Sequence, residues 1–138
     1  MDSQQLLERA REALETAYVP YSEYAVGAAL ETADGTVYTG CNVEIANYSN
    51  SLHAEEVALG SAVRDGHREF ERVAVSSANR DGVTPCGMCR QSFAEFCGPD
   101  FTVVCEGEGA DGSDPEPVEY RLGDLLPETI TREMVVDE

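Results

Sequence analysis

Two cysteines stand three residues apart in Cys86-Gly87-Met88-Cys89, directly after Pro85. This spacing lets two thiolates reach one ion, and a helix start at that point lowers thiol pKa values. A proline suits the first position of a helix. Alone, the pair is ambiguous between a structural zinc half-site and a thioredoxin-like redox pair. A redox pair needs no distant ligand, yet His53 supplies one, at the start of the helical stretch His53-Ala54-Glu55-Glu56. One imidazole and two thiolates make three ligands, which leaves a fourth tetrahedral position open, as catalytic zinc requires. Two thiolates balance the dication, a neutral imidazole adds no charge, and two helix N-termini add positive potential. Water in such a site ionises near neutral pH.

Glu55 follows His53 by two residues and so shares no helical face with it. In the first turn this offset suits a carboxylate beside the metal, not on it. Glu56 reads as a solvated surface charge. Five cysteines, an odd number, argue against a disulfide framework. Cys97 is expected on the same helix as Cys89, ~12 Å along its axis and too far to share the ion. Cys41 and Cys105 fall in predicted strands and are expected to pack as small apolar groups. His67 follows Gly66 and is expected to face solvent.

The elements that must position these groups follow from periodicity. Leu6, Leu7, Ala10, Ala13, Leu14 and Ala17 have helical spacing over residues 3–18. Pro20 breaks that pattern. Residues 25–44 read as two strands joined at Ala33-Asp34-Gly35, and residues 45–51 as a loop. A helix is predicted over 52–65, ending near Gly66, and a strand over about 72–77. Residues 79–85 read as a loop, and a helix from Cys86 stops at Gly98-Pro99. A strand over 101–106, a polar Gly/Pro-rich run over 106–117 expected to be mobile, a short edge strand and a last helical turn complete the chain. With 138 residues and no internal repeat, 1–138 reads as one domain: a mixed sheet with helices packed on it.

The net charge is −18, with nine arginines and no lysine. Such a field repels phosphate backbones and anionic membranes, which disfavours nucleic-acid partners and favours neutral small molecules. Excess carboxylate without lysine is similar to the composition of proteins from salt-loving organisms, where salt screens self-repulsion. The N-terminal segment is acidic and amphipathic, unlike a signal peptide, and cytoplasmic placement is expected.

His-x-Glu followed by Pro-Cys-x-x-Cys matches the signature of zinc deaminases. Further segments extend the match over about residues 10–127. They are Ala17-Tyr18-Val19-Pro20-Tyr21-Ser22, then Val26-Gly27-Ala28-Ala29-Leu30, Gly40-Cys41-Asn42-Val43-Glu44, Arg90-Gln91 and Leu125-Leu126-Pro127. In these motifs the chain resembles the cytidine deaminase family in its short-chain form. The resemblance implies an α/β fold, a three-layer α/β/α domain with a five-stranded mixed sheet. It implies one Zn²⁺ per subunit on His53, Cys86 and Cys89, with Glu55 moving protons. Free cytidine and deoxycytidine would be deaminated to uridine and deoxyuridine with release of ammonia, as in pyrimidine salvage.

Carried over the same way, Asn42 and Glu44 would bond the ribose, Tyr24 would pack near the base, and backbone at Ala54 and Cys86 would bind the pyrimidine. Homotetramers are usual in the short-chain form, with a dimer as the alternative, and Ala46, Asn47 and Tyr48 occupy the loop that completes a neighbour's site. The chain departs from the pattern at His53, commonly a third Cys, and at Glu56, commonly Arg. A site with one thiolate fewer has less need of that Arg. The loop Ile45-Ala46-Asn47-Tyr48 and Ile130, where an aromatic is usual, also differ. The altered loop at Ile45 to Asn47 keeps open a modified cytosine nucleoside or a blasticidin-like antibiotic as substrate. A structural zinc or redox module, with no use for Glu55, is the rival from another class.

The charge makes one prediction. Thermal unfolding should occur at a markedly lower temperature in low salt than in multimolar salt, and equal midpoints would overturn the salt-loving reading.

Overall fold

The computed structural model describes residues 1–77, 83–107 and 116–136. Helix α1, Ser3–Leu14, starts at a reciprocal cap: Asp2 Oδ1 accepts from Gln5 N at 2.8 Å, and Gln5 Oε1 accepts from Asp2 N at 2.9 Å. The helix stops four residues short of the predicted end. Thr16 Oγ1 donates to Ala13 O at 3.0 Å, competing with the helical ladder. Tyr18 is claimed by other partners, donating to Asn42 O at 3.0 Å and accepting from Glu44 N at 2.8 Å.

Strands β1, Val26–Thr32, and β2, Val37–Cys41, form the expected hairpin. Gly35 at φ +90° supplies the left-handed residue of its turn. Asp34 Oδ1 accepts from the backbone and hydroxyl of Thr36 at 3.1 and 2.9 Å. The loop after β2 contains a short 3₁₀ turn at Tyr48–Asn50. Helix α2 is Ala54–Arg64, β3 is Phe70–Ser77, α3 is Gly87–Phe96, and β4 is Thr102–Glu106. The edge strand β5, Pro117–Arg121, precedes two short helices, α4 at Leu122–Leu125 and α5 at Arg132–Val135. Helix α5 has no counterpart among the elements predicted from the sequence. The mobility expected of the polar run rests on residues 108–115, which lie outside the described residues, as do residues 78–82 of the preceding loop.

The sheet order is β2-β1-β3-β4-β5; β3 and β4 pair in parallel and the other neighbours antiparallel. Strand alternation sends side chains to two faces. Ala29, Ala74 and Val104 meet Leu6, Leu7 and Ala10 of α1. Ala28, Leu30, Val73, Val75, Val103 and Cys105 meet Ala54, Ala58, Leu59 and Ala62 of α2 and Phe93 of α3. This is the three-layer α/β/α arrangement, with α1 alone on one face.

Two partly buried ion pairs edge the α1 face. Arg72 Nε lies 2.8 Å from Glu31 Oε1. Arg11 Nη2 lies 2.9 Å from Glu106 Oε2, and Ser76 Oγ also donates to Glu106. No helix among the described residues is long and apolar enough to cross a membrane.

The decisive packing contact is backbone on backbone. A Cβ built on Gly40 of β2 would lie 2.3 Å from Ala54 O and 2.6 Å from Ala58 N. The small side chains of Ala54, Ala58 and Ala62, four residues apart on α2, permit this approach. Gly60 on the outer side of the same helix has nothing within 4 Å of its Cβ position.

The two glycines should therefore respond oppositely to alanine. G60A should stabilise the fold by about 0.5–1 kcal/mol through helix propensity. G40A should destabilise it by about 1–3 kcal/mol or more, as overpacking does. Denaturant midpoints of the two variants check the contrast, and a G40A midpoint at or above that of wild type contradicts it.

Candidate metal centre

The N-termini of α2 and α3 open at the same end of the sheet, near the start of β1 and the carboxyl end of β3. In a sheet of this kind such a crevice is the usual place for a ligand. His53 is the N-cap residue of α2 and Cys86 that of α3, so both sit where a helix leaves backbone N–H groups unpaired. Cys89, one turn into α3, is fully buried.

The three side chains converge. His53 Nδ1 lies 3.2 Å from Cys89 Sγ and 3.2 Å from Cys86 Sγ. All three ligand atoms fall within 4.8 Å of one another. A tetrahedral zinc with N at about 2.0–2.1 Å and S at about 2.3 Å needs them at about this separation. Among the described residues this is the one group of three such side chains that could hold a metal.

The electrostatics also ask for a cation. Burial, then the neighbouring Glu55 and Cys86, push the Cys89 thiol far above its ordinary range. Burial pushes Cys97 and Cys105 up to about 12, and neither belongs to the cluster. They are inert thiols. Cys105 lies in the core as expected, and Cys97 caps the end of α3. Cys41 is only half-buried, with the Thr16 hydroxyl 3.5 Å from its sulfur.

Glu55 is buried at 6% exposure. Desolvation raises its carboxyl above the usual range, although His53 and a bond with Cys89 pull the other way. It lines a cleft of about 200 Å³ together with His53, Cys86, Ala54, Asn42, Val26, Val83 and Thr84. A raised carboxyl beside an open metal position can accept a proton and return it. Val26, Val83 and Thr84 were not among the residues expected at the site. Val26 opens one of the quoted motifs and Thr84 immediately precedes Pro85, which was the available signal.

The other expected substrate residues are more scattered. Asn42 is in the cleft, and its amide is already engaged: Oδ1 accepts from Val26 N at 2.9 Å and Nδ2 donates to Tyr24 O at 2.8 Å. Glu44 Oε1 accepts from the backbone of Tyr21 and Ser22, each at 3.0 Å. The Ser22 hydroxyl and these amides hold its carboxyl below the usual range, despite some burial. Neither Glu44 nor Tyr24 lines the cleft. Ala46 and Tyr48 are exposed, with the Tyr48 ring edge-on to Tyr21 at 5.6 Å.

Two expectations are corrected. Glu56 is half-buried, and its Oε1 accepts from His53 N at 3.0 Å, capping the helix that carries the ligand. His67 is half-buried against the Tyr38 ring, with centroids 5.3 Å apart.

A fold with three convergent N/S ligands, an open position and a buried carboxylate defines a zinc hydrolase centre. Residues 1–105 match the family described as the cytidine and deoxycytidylate deaminase zinc-binding region, and the chain belongs to that family. It is similar to the cytidine deaminase of Sporosarcina psychrophila, 41% identical over 133 residues, 96% of this chain and 94% of the relative. The crystal structure of cytidine deaminase from Burkholderia pseudomallei superposes with a TM-score of 0.84 at 42% identity, covering 94% of this chain and all of that one. A blasticidin-S deaminase of Bacillus cereus is 32% identical over 140 residues, 94% of this chain and 95% of the relative.

Because the Cys89 proton is held tightly without an ion, zinc must displace it. Zinc affinity should therefore rise with pH, by about tenfold per unit for each proton released. Titration calorimetry of the apo chain in buffers of different pH reads this, and a pH-independent affinity would show the thiols to be already ionised.

Proposed function

We propose that this chain catalyses hydrolytic deamination of cytidine and deoxycytidine as free nucleosides in the cytoplasm, with zinc on His53, Cys86 and Cys89. The observation that carries the reading is Glu55, a buried carboxyl in the same cleft as the three-ligand cluster. Zinc, when bound, supplies the Lewis acidity that makes water nucleophilic near neutral pH. Glu55 takes a proton from the attacking water and delivers it to N3 of the pyrimidine as oxygen adds to C4. It then carries the second proton to the amino group, so that cytidine and water leave as uridine and ammonia. Its raised carboxyl suits both directions of transfer.

Backbone at Ala54 and Cys86, beside the helix starts, would hold the pyrimidine. Asn42 keeps spare donor and acceptor capacity for a sugar hydroxyl. Glu44, held ionised, would accept from the ribose, and Tyr24 would back the base. Among the described residues no arginine lines the cleft, which supports an uncharged nucleoside over a phosphorylated one. Ala46 and Tyr48 would reach a neighbouring subunit's site in a homotetramer. Exposed Tyr48, Leu52, Ile130, Met134 and Val135 support association, and the solution mass of the enzyme checks it.

The relative that deaminates blasticidin S favours a second substrate reading, since the loop at Ile45–Asn47 and Ile130 depart from the usual pattern. Ammonia release should be measured on cytidine, deoxycytidine, cytosine, blasticidin S and adenosine in high salt. Cytidine and deoxycytidine should be turned over fastest, and activity on none of them would leave only a structural zinc module. E55A should lose at least ~10²–10⁴-fold in kcat while retaining zinc. Near-wild-type turnover by E55A would remove Glu55 from the mechanism.

A further inference from the structure

The three ligands are not held equally. Cys89 is buried inside α3, and His53 is fixed by the Glu56 cap and by the seating of Ala54 over Gly40. Cys86 is exposed, and its side chain makes no capping hydrogen bond at the start of α3. Its position depends on the segment before the helix, which also supplies Val83 and Thr84 to the cleft wall.

Arg90 holds that segment. It stands one residue after Cys89, and its own N–H donates to Cys86 O at 2.9 Å. Its Nε donates to Pro85 O at 2.7 Å, Nη2 to Thr84 Oγ1 at 3.1 Å, and Nη1 to Leu125 O at 2.7 Å. Three donors of one planar fork are thus spent on three separate acceptors, a geometry that an ammonium cannot reproduce. Leu125 ends α4, so its carbonyl has no partner in the helical ladder and is free to accept.

We propose that Arg90 is the positioning residue of the metal centre, fastening Thr84 and Pro85 to the end of α4 and thereby fixing Cys86 and the cleft wall beside it. The proposal rests on the zinc reading of the site, but not on the identity of the substrate. A charge that only stabilised the fold or softened the acidic field would not act selectively on the ion.

The test compares zinc release to a chromogenic chelator from the zinc-loaded wild type, R90Q, R90K and R121Q, at a temperature where circular dichroism shows each folded. R121Q removes the same charge from an exposed side chain that pairs with Asp100 at 2.7 Å and Asp124 at 3.6 Å at the opposite end of α4 from Leu125. R90Q should release zinc about tenfold faster or more, as loss of a group that orients a ligand typically does. R90K should fall between R90Q and wild type, and R121Q should match wild type. Equal release from R90Q and wild type overturns the proposal, and so does equal acceleration in R121Q. Should R90Q not fold, wild-type release from R90K overturns it. Wild type that binds zinc but yields no ammonia from cytidine would overturn the substrate reading and leave this comparison standing.

Discussion

The site depends on how closely one helix can approach one strand. At Gly40 the backbone of β2 meets the backbone of α2 with no side chain between them, and a Cβ there would lie 2.3 Å from Ala54 O. That contact sets the height of the first turn of α2 above the sheet, and the first turn carries His53, Ala54 and Glu55. On the opposite face, Gly27 makes the same kind of contact with α1, where a Cβ would lie 2.0 Å from Ala10 O. The sheet is thereby clamped from both sides near the end where the cleft opens.

A buried carboxyl beside a buried thiol is costly in an apo core: desolvation raises the proton affinity of both, and the Glu55 charge raises that of Cys89 further, while the bond with Cys89 offsets part of the rise at Glu55. The fold brings them together at two helix starts, where backbone N–H groups and helix dipoles offset part of that cost. A dication offsets the rest, which is why the arrangement has the character of a binding site and not of a core. Cys97 is raised by burial alone, and Cys105 chiefly by burial with smaller contributions from Glu55 and Glu106; neither joins the cluster.

Local spacing made the cluster of His53, Cys86 and Cys89 legible. Cys86 and Cys89 are separated by one helical turn, and His53 and Glu55 belong to a single first turn, so residue type and register were enough. The hairpin at Asp34-Gly35 and the strands were legible for the same reason. What failed depended on tertiary partners. The end of α1 at Leu14 is set by Tyr18 pairing with Asn42 and Glu44, which no helical pattern contains. Periodicity alone gives Glu56 a solvent-facing place, because it does not show that a carboxylate at the third position of the first turn reaches back to the N-cap amide. His67 found the ring of Tyr38 from a different element. The guanidinium of Arg90 is informative only once Thr84, Pro85 and Leu125 are seen around it.

The single parallel pairing, β3 with β4, has a consequence for the order in which the chain assembles. The β1–β2 hairpin closes over a few residues and needs nothing else. Parallel strands require a crossover, and α3 lies within the one that joins β3 to β4. Cys86 and Cys89 therefore travel with that slow connection, while His53 travels with the segment leaving the early hairpin. The full ligand set therefore comes together only where both segments have docked on the sheet, so a complete metal site requires the parallel crossover as well as the hairpin.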